Sequence, residues 1–475
     1  MVAVPIIMKK KMLLLVLSLV LFGCPDNPPP LGTDLDPDFS SDKTSLVDGQ
    51  QVAFEATVTG GADTWSWSFE GGTPATSTAQ NPVITYEEAG TFEVSLTITR
   101  GDESETVTKE SYINVVSLFT GSELPAVGAC QLNKLFTNDP VDLGFPNNGP
   151  SPALGQVNVH VLFADFPNAI ASRTTESVLD LLDPVNKNFF GEMSYGRMEL
   201  NLIPHHEWLR LSNDVLHYTG GLTSGEGHLA FIQEAVDLAD DQVDFSNANI
   251  VVVMANPDTD QIPYGPTFGS LNPNFAIQAD GNTILTGITS GFDLNHWGGI
   301  WLAHEMGHSL GLPDLYNYTS SDAHQHVGNF SMMSLISGRV PGFFAYERWL
   351  LGWLDDEQMY CHSQGAIAIE LQQIATEGGL KAISVPLSES RSVVIESRRR
   401  SGFDSSMSKE GVMVYVVDTT IGRGRGPIEV KPGVNSGPMK DNAPMVTGDV
   451  YTYEGVRVEV IETKASSDIV LVSVQ

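Results

Sequence analysis

Residues 301–316 read WLAHEMGHSLGLPDLY, and no other stretch limits the folding of this chain so narrowly. Residues four apart on a helix share a face, so His304 and His308 can place two ring nitrogens on one ion from successive turns. Glu305, one position after the first histidine, comes close to that ion while pointing away from direct ligation, which suits a general base. Gly311 stands where the helix must stop and the chain reverse through positive φ, and Pro313 prevents its continuation. Asp314 is thereby swung back towards the ion as a third ligand. Two histidines and a carboxylate leave the fourth place of a tetrahedral zinc to water, the open arrangement of a catalytic site. The plainer reading is a buried amphipathic helix whose histidines are satisfied by neighbours. With 11 His and 45 Gly among 475 residues, H-E-x-x-H arises by chance in about one such chain in a hundred, and with the later Gly and Asp in about one in ten thousand. The zinc reading is preferred on that ground.

A chain of 475 residues is too long for one core, so several domains are expected. Its 58 Asp+Glu against 25 Lys+Arg give a net charge of -33, which repels a phosphate backbone or an anionic bilayer. Nucleic acid is excluded as a partner; solubility outside the cell is favoured, and carboxylates remain free for calcium (Ca2+) beside Zn2+. From Met8, the better start, MKKK and MLLLVLSLVLF form the basic and apolar parts of an export signal too short to span a membrane. LFGC ends it at Cys24, ahead of PDNPPPLGTDLDPD. The segment resembles a bacterial lipoprotein signal, which implies a signal at 1–23, a lipidated Cys24 and a linker at 24–35. The alternative is an ordinary secretory peptide with an incidental cysteine. Lipidation leaves Cys130 and Cys361, and in an oxidising compartment a disulfide between them is the default. The rival is Cys130 as a thiolate that blocks the metal in a latent precursor.

Residues 36–116 change character. QVAFEATV, DTWSWSFE, TFEVSLTIT and SYINVV alternate apolar with polar residues between Gly, Asp and Pro, the pattern of a small β-sandwich. Trp67, Phe69, Tyr86, Gly90 and Val94 fall on the skeleton of a PKD (polycystic kidney disease-type) Ig-like domain, which the stretch resembles. It departs at Glu70-Gly71-Gly72, where the family has Gly-Asp-Gly, and at Thr85, so the tight turn is expected to differ. Trp65 and Trp67 share a face of one strand. Trp67 is assigned to the core, while Trp65 stays open between core and an exposed platform. Such domains act as spacers or binders.

From 118 to 354 strand and helix signals alternate: VNVHVLFADF and ANIVVVMANP as buried strands, GEGHLAFIQEAVDLADDQ as an amphipathic helix, and DLNHWGGIWLAHEMGHSLGL as a helix opening near Asn295 or His296. This is an α/β domain. Residues 355–475 are rich in strand patterns such as RSVVIESR and DIVLVSVQ, so a C-terminal all-β region is expected against it. The basic run Arg398, Arg399, Arg400 is read as pairing with internal carboxylates.

HEMGHSLGLPDLY resembles the extended zinc motif of metzincin-type peptidases in the variant with Asp as third ligand. VGNFSMMSLISG, with Met333 nineteen residues after Asp314, resembles the Met-turn that follows it. PGFFAYERWLLGWL, FFGEMSYGRMEL and VVIESRRRSGFD resemble segments of immune inhibitor A family peptidases, a likeness covering most of 118–420. It implies a metzincin-like zinc domain, with the Met333 thioether as an apolar floor beneath the ligands. His324 and His326 compete with Asp314 for the third ligand place. Tyr316, Tyr318 and Tyr346 are oxyanion candidates by proximity alone, and His205 and His206 are read as surface or core.

The expectation is a multidomain chain: a PKD β-sandwich, an α/β metzincin-like peptidase domain and a C-terminal β region. Its expected function is zinc-dependent endopeptidase action on protein or peptide substrates, through a zinc-activated water with Glu305 as general base. The protein is expected to be exported to the bacterial envelope or surface, to meet the membrane only through its lipid anchor, or to be released. The rival from another class is a surface adhesin on a catalytically lapsed peptidase fold. A closed structural zinc site would need a fourth ligand such as His324.

Overall fold

The computed structural model describes residues 35–121, 123–431 and 436–475. The signal at 1–23, the lipidation site Cys24 and nearly all of the 24–35 linker lie outside them. The chain's regular secondary structure is mostly strand, with few helices. Its contacts divide the described residues into two units: one of 35–42, Gln51–Thr85 and Phe92–Tyr112, the other of Lys43–Gln50, Tyr86–Thr91 and Ile113–Gln475. Among the described residues no helix is long and apolar enough to cross a membrane.

The sandwich follows the period-2 pattern. Its strand Thr64–Phe69 alternates exposed Ser66 and Ser68 with buried Trp67 and Phe69, because successive strand residues face opposite sides. Trp67 stacks on Phe69 at 5.4 Å and lies 5.2 Å from Phe39 and 5.8 Å from Phe54. Its indole N–H donates to the Ala79 carbonyl at 2.9 Å, which satisfies the one polar atom buried with the ring. Trp65 is half-buried. At the departing turn Gly71 has φ +66, and a Cβ there would lie 2.3 Å from the Phe92 ring. Glycine replaces the family's aspartate where an aromatic ring covers the backbone.

The larger unit is layered around a five-stranded sheet in the order Met198–Arg210, Gly155–Asp165, Ile250–Ala255, Thr286–Thr289, Thr267–Gly269. The first four strands are parallel and the last, Thr267–Gly269, is an antiparallel edge. Both faces are covered, so the central strands read as continuous apolar runs. Leu162, Val251 and Val253 pack on Phe231, Ile232 and Val236 of the helix Gly225–Ala239. Val159, Val161, Val252 and Met254 join the opposite core with Phe189 and Phe190 of the helix Val185–Met193 and with Leu302, Ala303 and Met306.

The C-terminal strands form two further sheets. One has five strands, Met359–Cys361, Ala382–Ser388, Arg391–Arg398, Gly411–Asp418 and Ile428–Lys431; the other has four, Gly365–Gln372, Ser467–Val474, Val456–Thr463 and Val450–Tyr453. Alternation on the five-stranded sheet splits its loyalties. Val393, Ile395, Val412 and Val414 face the four-stranded sheet, whereas Val394, Met413, Tyr415 and Val417 enter the same core as Met306 and Met333. Residues 118–354 and 355–475 therefore share one core within one compact unit.

Arg398 and Arg399 pair inward, whereas Arg400 pairs at the surface. Fully buried Arg398 meets Glu396 at 2.5 Å and Asp404 at 2.7 Å, Arg399 meets Asp468 at 2.8 Å, and Arg400 meets Glu410 at 3.8 Å. Arg398 also donates to the carbonyls of Gly342 and Phe343. Cys130 and Cys361 are joined as a disulfide, so Cys130 is not a free thiolate facing the metal motif.

Candidate metal centre

The motif helix is shorter than its apolar pattern suggests. The expected start near Asn295 or His296 is corrected: a one-turn helix Leu294–Trp297 comes first, and the motif helix spans Trp301–Ser309. Gly298, at φ +67, breaks the two apart, and a Cβ on Gly299 would fall 1.5 Å from the Leu181 carbonyl oxygen. At the other end Gly311 has φ +102. The Leu312 N–H there donates to Gly307 O at 2.9 Å and the Gly311 N–H to His308 O at 3.0 Å. These bonds satisfy the last helical carbonyls and turn the chain back, which carries Asp314 beneath the histidines.

His304 Nε2 lies 3.2 Å and His308 Nε2 3.4 Å from Asp314 Oδ1. Ligand atoms at about 2.05 Å around a tetrahedral zinc stand about 3.3 Å apart, so both histidine-to-aspartate spacings suit such a shell, and all three atoms lie within 4.8 Å of one another. Oδ1 is buried and accepts no hydrogen bond even with both nitrogens this close. The three atoms thus converge on one point, as donors to a common cation do. Each histidine's other nitrogen is engaged: His304 Nδ1 with Met332 O at 2.9 Å and His308 Nδ1 with Leu312 O at 2.8 Å. A carbonyl partner fixes the tautomer that leaves Nε2 free for metal. Tyr318 donates its hydroxyl to Asp314 Oδ2. The donor set fits a divalent zinc, and it is the only group of three such residues found among the described residues.

The charges agree. Burial pushes Asp314 up, but the adjacent His308 and His304 override it and hold the carboxyl well below its usual range. Burial pulls His308 down, and Asp314 more than reverses this, to about 9. Positive charge is wanted at this point; a bound cation supplies it in place of the two protons, leaving both histidines neutral as ligands. Glu305 is raised by burial, which outweighs the lowering by His304 and His308. Its Oε2 lies 2.8 Å from the Thr267 hydroxyl. Thr267, on the sheet's edge strand, is a partner of Glu305 that sequence reasoning does not find; nothing in YGPTFGS marks it.

The centre is held from below and from the C-terminal sheets. A Cβ on Gly307 would lie 2.3 Å from Met333 Sδ, so the thioether sits directly against the helix between its two histidines. The Met332 N–H donates to Pro341 O, next to the Gly342 and Phe343 carbonyls that Arg398 grips. A continuous path thus runs from Arg398 to His304 Nδ1. On the other side Gly424 N–H donates to Asp314 O at 3.1 Å, and a Cβ on Gly424 would meet the Tyr318 ring at 2.2 Å.

The remaining candidates separate. His324 lines the cleft with its Nδ1 3.3 Å from Ser334 Oγ, and His326 lies 3.4 Å from Asn317 Nδ2; neither joins the ligand group. Tyr346 is excluded as an oxyanion group because it is wholly buried and donates to Leu143 O at 3.0 Å. Tyr318 is committed to Asp314, and Tyr316 lines the cleft. His205 pairs with His160 at 3.1 Å and His206 with Thr175 at 3.0 Å. The centre opens on a cleft of about 520 Å³, and a second of about 340 Å³ adjoins it; Thr267, His308, Asp314 and Arg423 line both.

Residues 38–112 match the family model of the PKD domain. No curated protein matches the chain. Among solved structures, Cwp6 from Clostridium difficile aligns at 14% identity and TM-score 0.15, over 46% of this chain and 33% of that one. A beta-D-glucuronidase for Dictyoglomus thermophilum aligns at 8% identity and TM-score 0.13, over 48% and 39%. The chain spans roughly a third of the length of these structures, and at such TM-scores neither bears on the fold.

Proposed function

We propose that this protein is an exported zinc endopeptidase of the immune inhibitor A type, with a metzincin-like catalytic region, anchored to a bacterial envelope by lipid on Cys24. The observation that carries the reading is the convergence of His304 Nε2, His308 Nε2 and Asp314 Oδ1 at tetrahedral spacing beside Glu305, on an open cleft. When bound, zinc polarises the scissile carbonyl and lowers the pKa of the attacking water. Glu305 accepts the proton of that water and delivers it to the leaving amine. Burial makes Glu305 a stronger base than an exposed carboxylate, and Thr267 orients it. The edge strand Thr267–Gly269 offers backbone N–H and C=O groups to an extended peptide. Its substrates are proteins or peptides, and the PKD domain serves as a spacer or binder.

The test is cleavage of an unfolded protein by the purified chain, beside Glu305→Ala, with zinc measured in both. Cleavage by the parent alone with zinc in both establishes the reading. Zinc without cleavage in either favours a binding protein on a lapsed peptidase fold, and absence of zinc sinks the site.

A further inference from the structure

Along the cleft from the metal, Asp293 stands in the wall with Tyr264, Trp297 and Trp301. Of the other carboxylates around this region, Glu305 accepts from the Thr267 hydroxyl and the following three have basic partners. Asp314 lies between two histidines, Asp258 pairs with Arg173 at 2.9 Å, and Asp139 meets Arg423 at 3.5 Å. Asp293 forms no ion pair among the described residues. Its Oδ2 accepts the Gly265 N–H at 3.0 Å, whereas Oδ1 is buried and accepts nothing. A buried carboxylate oxygen without a donor is costly to keep. The walls beside it are aromatic, and Tyr264 is 75% exposed at the rim, where a large bare ring indicates a contact surface. Gly265 holds this corner tight, since a Cβ there would lie 2.3 Å from Thr289 O and 2.7 Å from the Trp301 ring. A carboxylate without a counterion, its pKa raised by burial, with the exposed Tyr264 ring and half-buried Trp297 in the same wall, is an environment that takes up the aliphatic stem and cationic head of a lysine or arginine.

We propose that Asp293 marks a substrate subsite for a basic side chain, so that peptides carrying Lys or Arg are selected in this cleft. The inference rests on the peptidase reading for its context. Its ligand is a cationic residue of an extended peptide, with Asp293 as the specificity-determining group. The same carboxylate also precedes the helix Leu294–Trp297, a structural duty that asparagine can largely keep by accepting from Gly265.

The test is equilibrium binding to the Glu305→Gln chain, which does not consume its ligand, of a neutral peptide with one central Lys and of its norleucine counterpart. The Lys peptide is expected to bind roughly tenfold to a hundredfold more tightly. Adding Asp293→Asn should bring the ratio close to one while the norleucine peptide and zinc bind as before. Any attraction from the acidic surface as a whole survives that substitution, so a ratio unchanged by it overturns the proposal. Equal binding of the two peptides before substitution also overturns it. Failure of the parent chain to cleave either peptide is a separate result and counts against the peptidase reading alone.

Discussion

In the sandwich, the side chains that build the core sit two apart on a strand: Trp67 and Phe69 stack on each other, with Phe39 and Phe54 around them. In the candidate metal centre, the motif residues are also close in sequence, but several of them are held by other segments, while His308 is braced locally by Leu312 O. His304 leans on Met332, Glu305 on Thr267, Asp314 on Gly424 as well as on nearby Tyr318, and the Met332–Met333 segment on a path that begins at Arg398. One region repeats a simple rule along its strands, and the other assembles a few atoms from segments more than a hundred residues apart. The first is expected to keep its shape when a detail is lost; the second, on the proposed reading, is expected to lose function when a single support shifts. Substitutions in the two regions should therefore have different signatures.

The largest effect is expected at Glu305. Glu305→Gln should lower kcat by about 10²–10⁴-fold and leave zinc content and thermal unfolding near those of the parent. Chelation should abolish turnover in the parent and have nothing left to abolish in the variant. A variant that keeps a tenth or more of parental activity would remove Glu305 from the chemistry.

On the sandwich side, Trp67→Ala removes a fully buried indole and its bond to Ala79, at a cost of about 3–5 kcal/mol. Calorimetry should show an early transition for that region, with zinc affinity and turnover unchanged. Loss of zinc in this variant would break the contrast between the two regions.

Between these lies a pH effect. Burial lowers His228 from 6.5 to about 4, where its Nε2 meets the Thr289 hydroxyl at 2.8 Å. Between those values the unfolded chain binds a proton that the folded chain refuses, so stability falls as the pH falls. The stabilisation is fully present above pH 6.5 and about 3 kcal/mol is lost by pH 4. His228→Gln should flatten that part of the profile in denaturant titrations. An equally steep profile in the variant would assign the acid sensitivity to the metal ligands instead.

The same residues mark how far the amino-acid pattern alone reaches. Period-2 alternation exposes Trp67 and Phe69 as core because burial on one face is a local property of a strand. The spacing of His304, Glu305, His308, Gly311 and Asp314 is legible for the same reason: helix geometry and one positive-φ glycine bring them together without help. Gly298 and Gly299 read as interior to the helix, and the close approach of the Leu181 carbonyl that requires Gly299 lies on another segment. Thr267 and Asp293 escape the pattern because an edge strand and a cleft wall have no periodic signature. The joining of 118–354 to 355–475 through one core is equally hidden, since both faces of the strand Gly411–Asp418 are apolar and the pattern does not say what covers each.

The smallest expected effect probes a support close to Asp314 in the chain. Tyr318→Phe removes only the hydroxyl that Asp314 Oδ2 accepts, while the ring keeps its place against Gly424. A carboxylate held by one fewer donor is free to rotate away from the ion, and loss of such a partner lowers metal affinity by about 10–100-fold. Competition with a chelating dye should show that loss without a change in folding. An unchanged affinity would mean that Asp314 is positioned by its backbone alone, through the Gly424 N–H and the turn at Gly311.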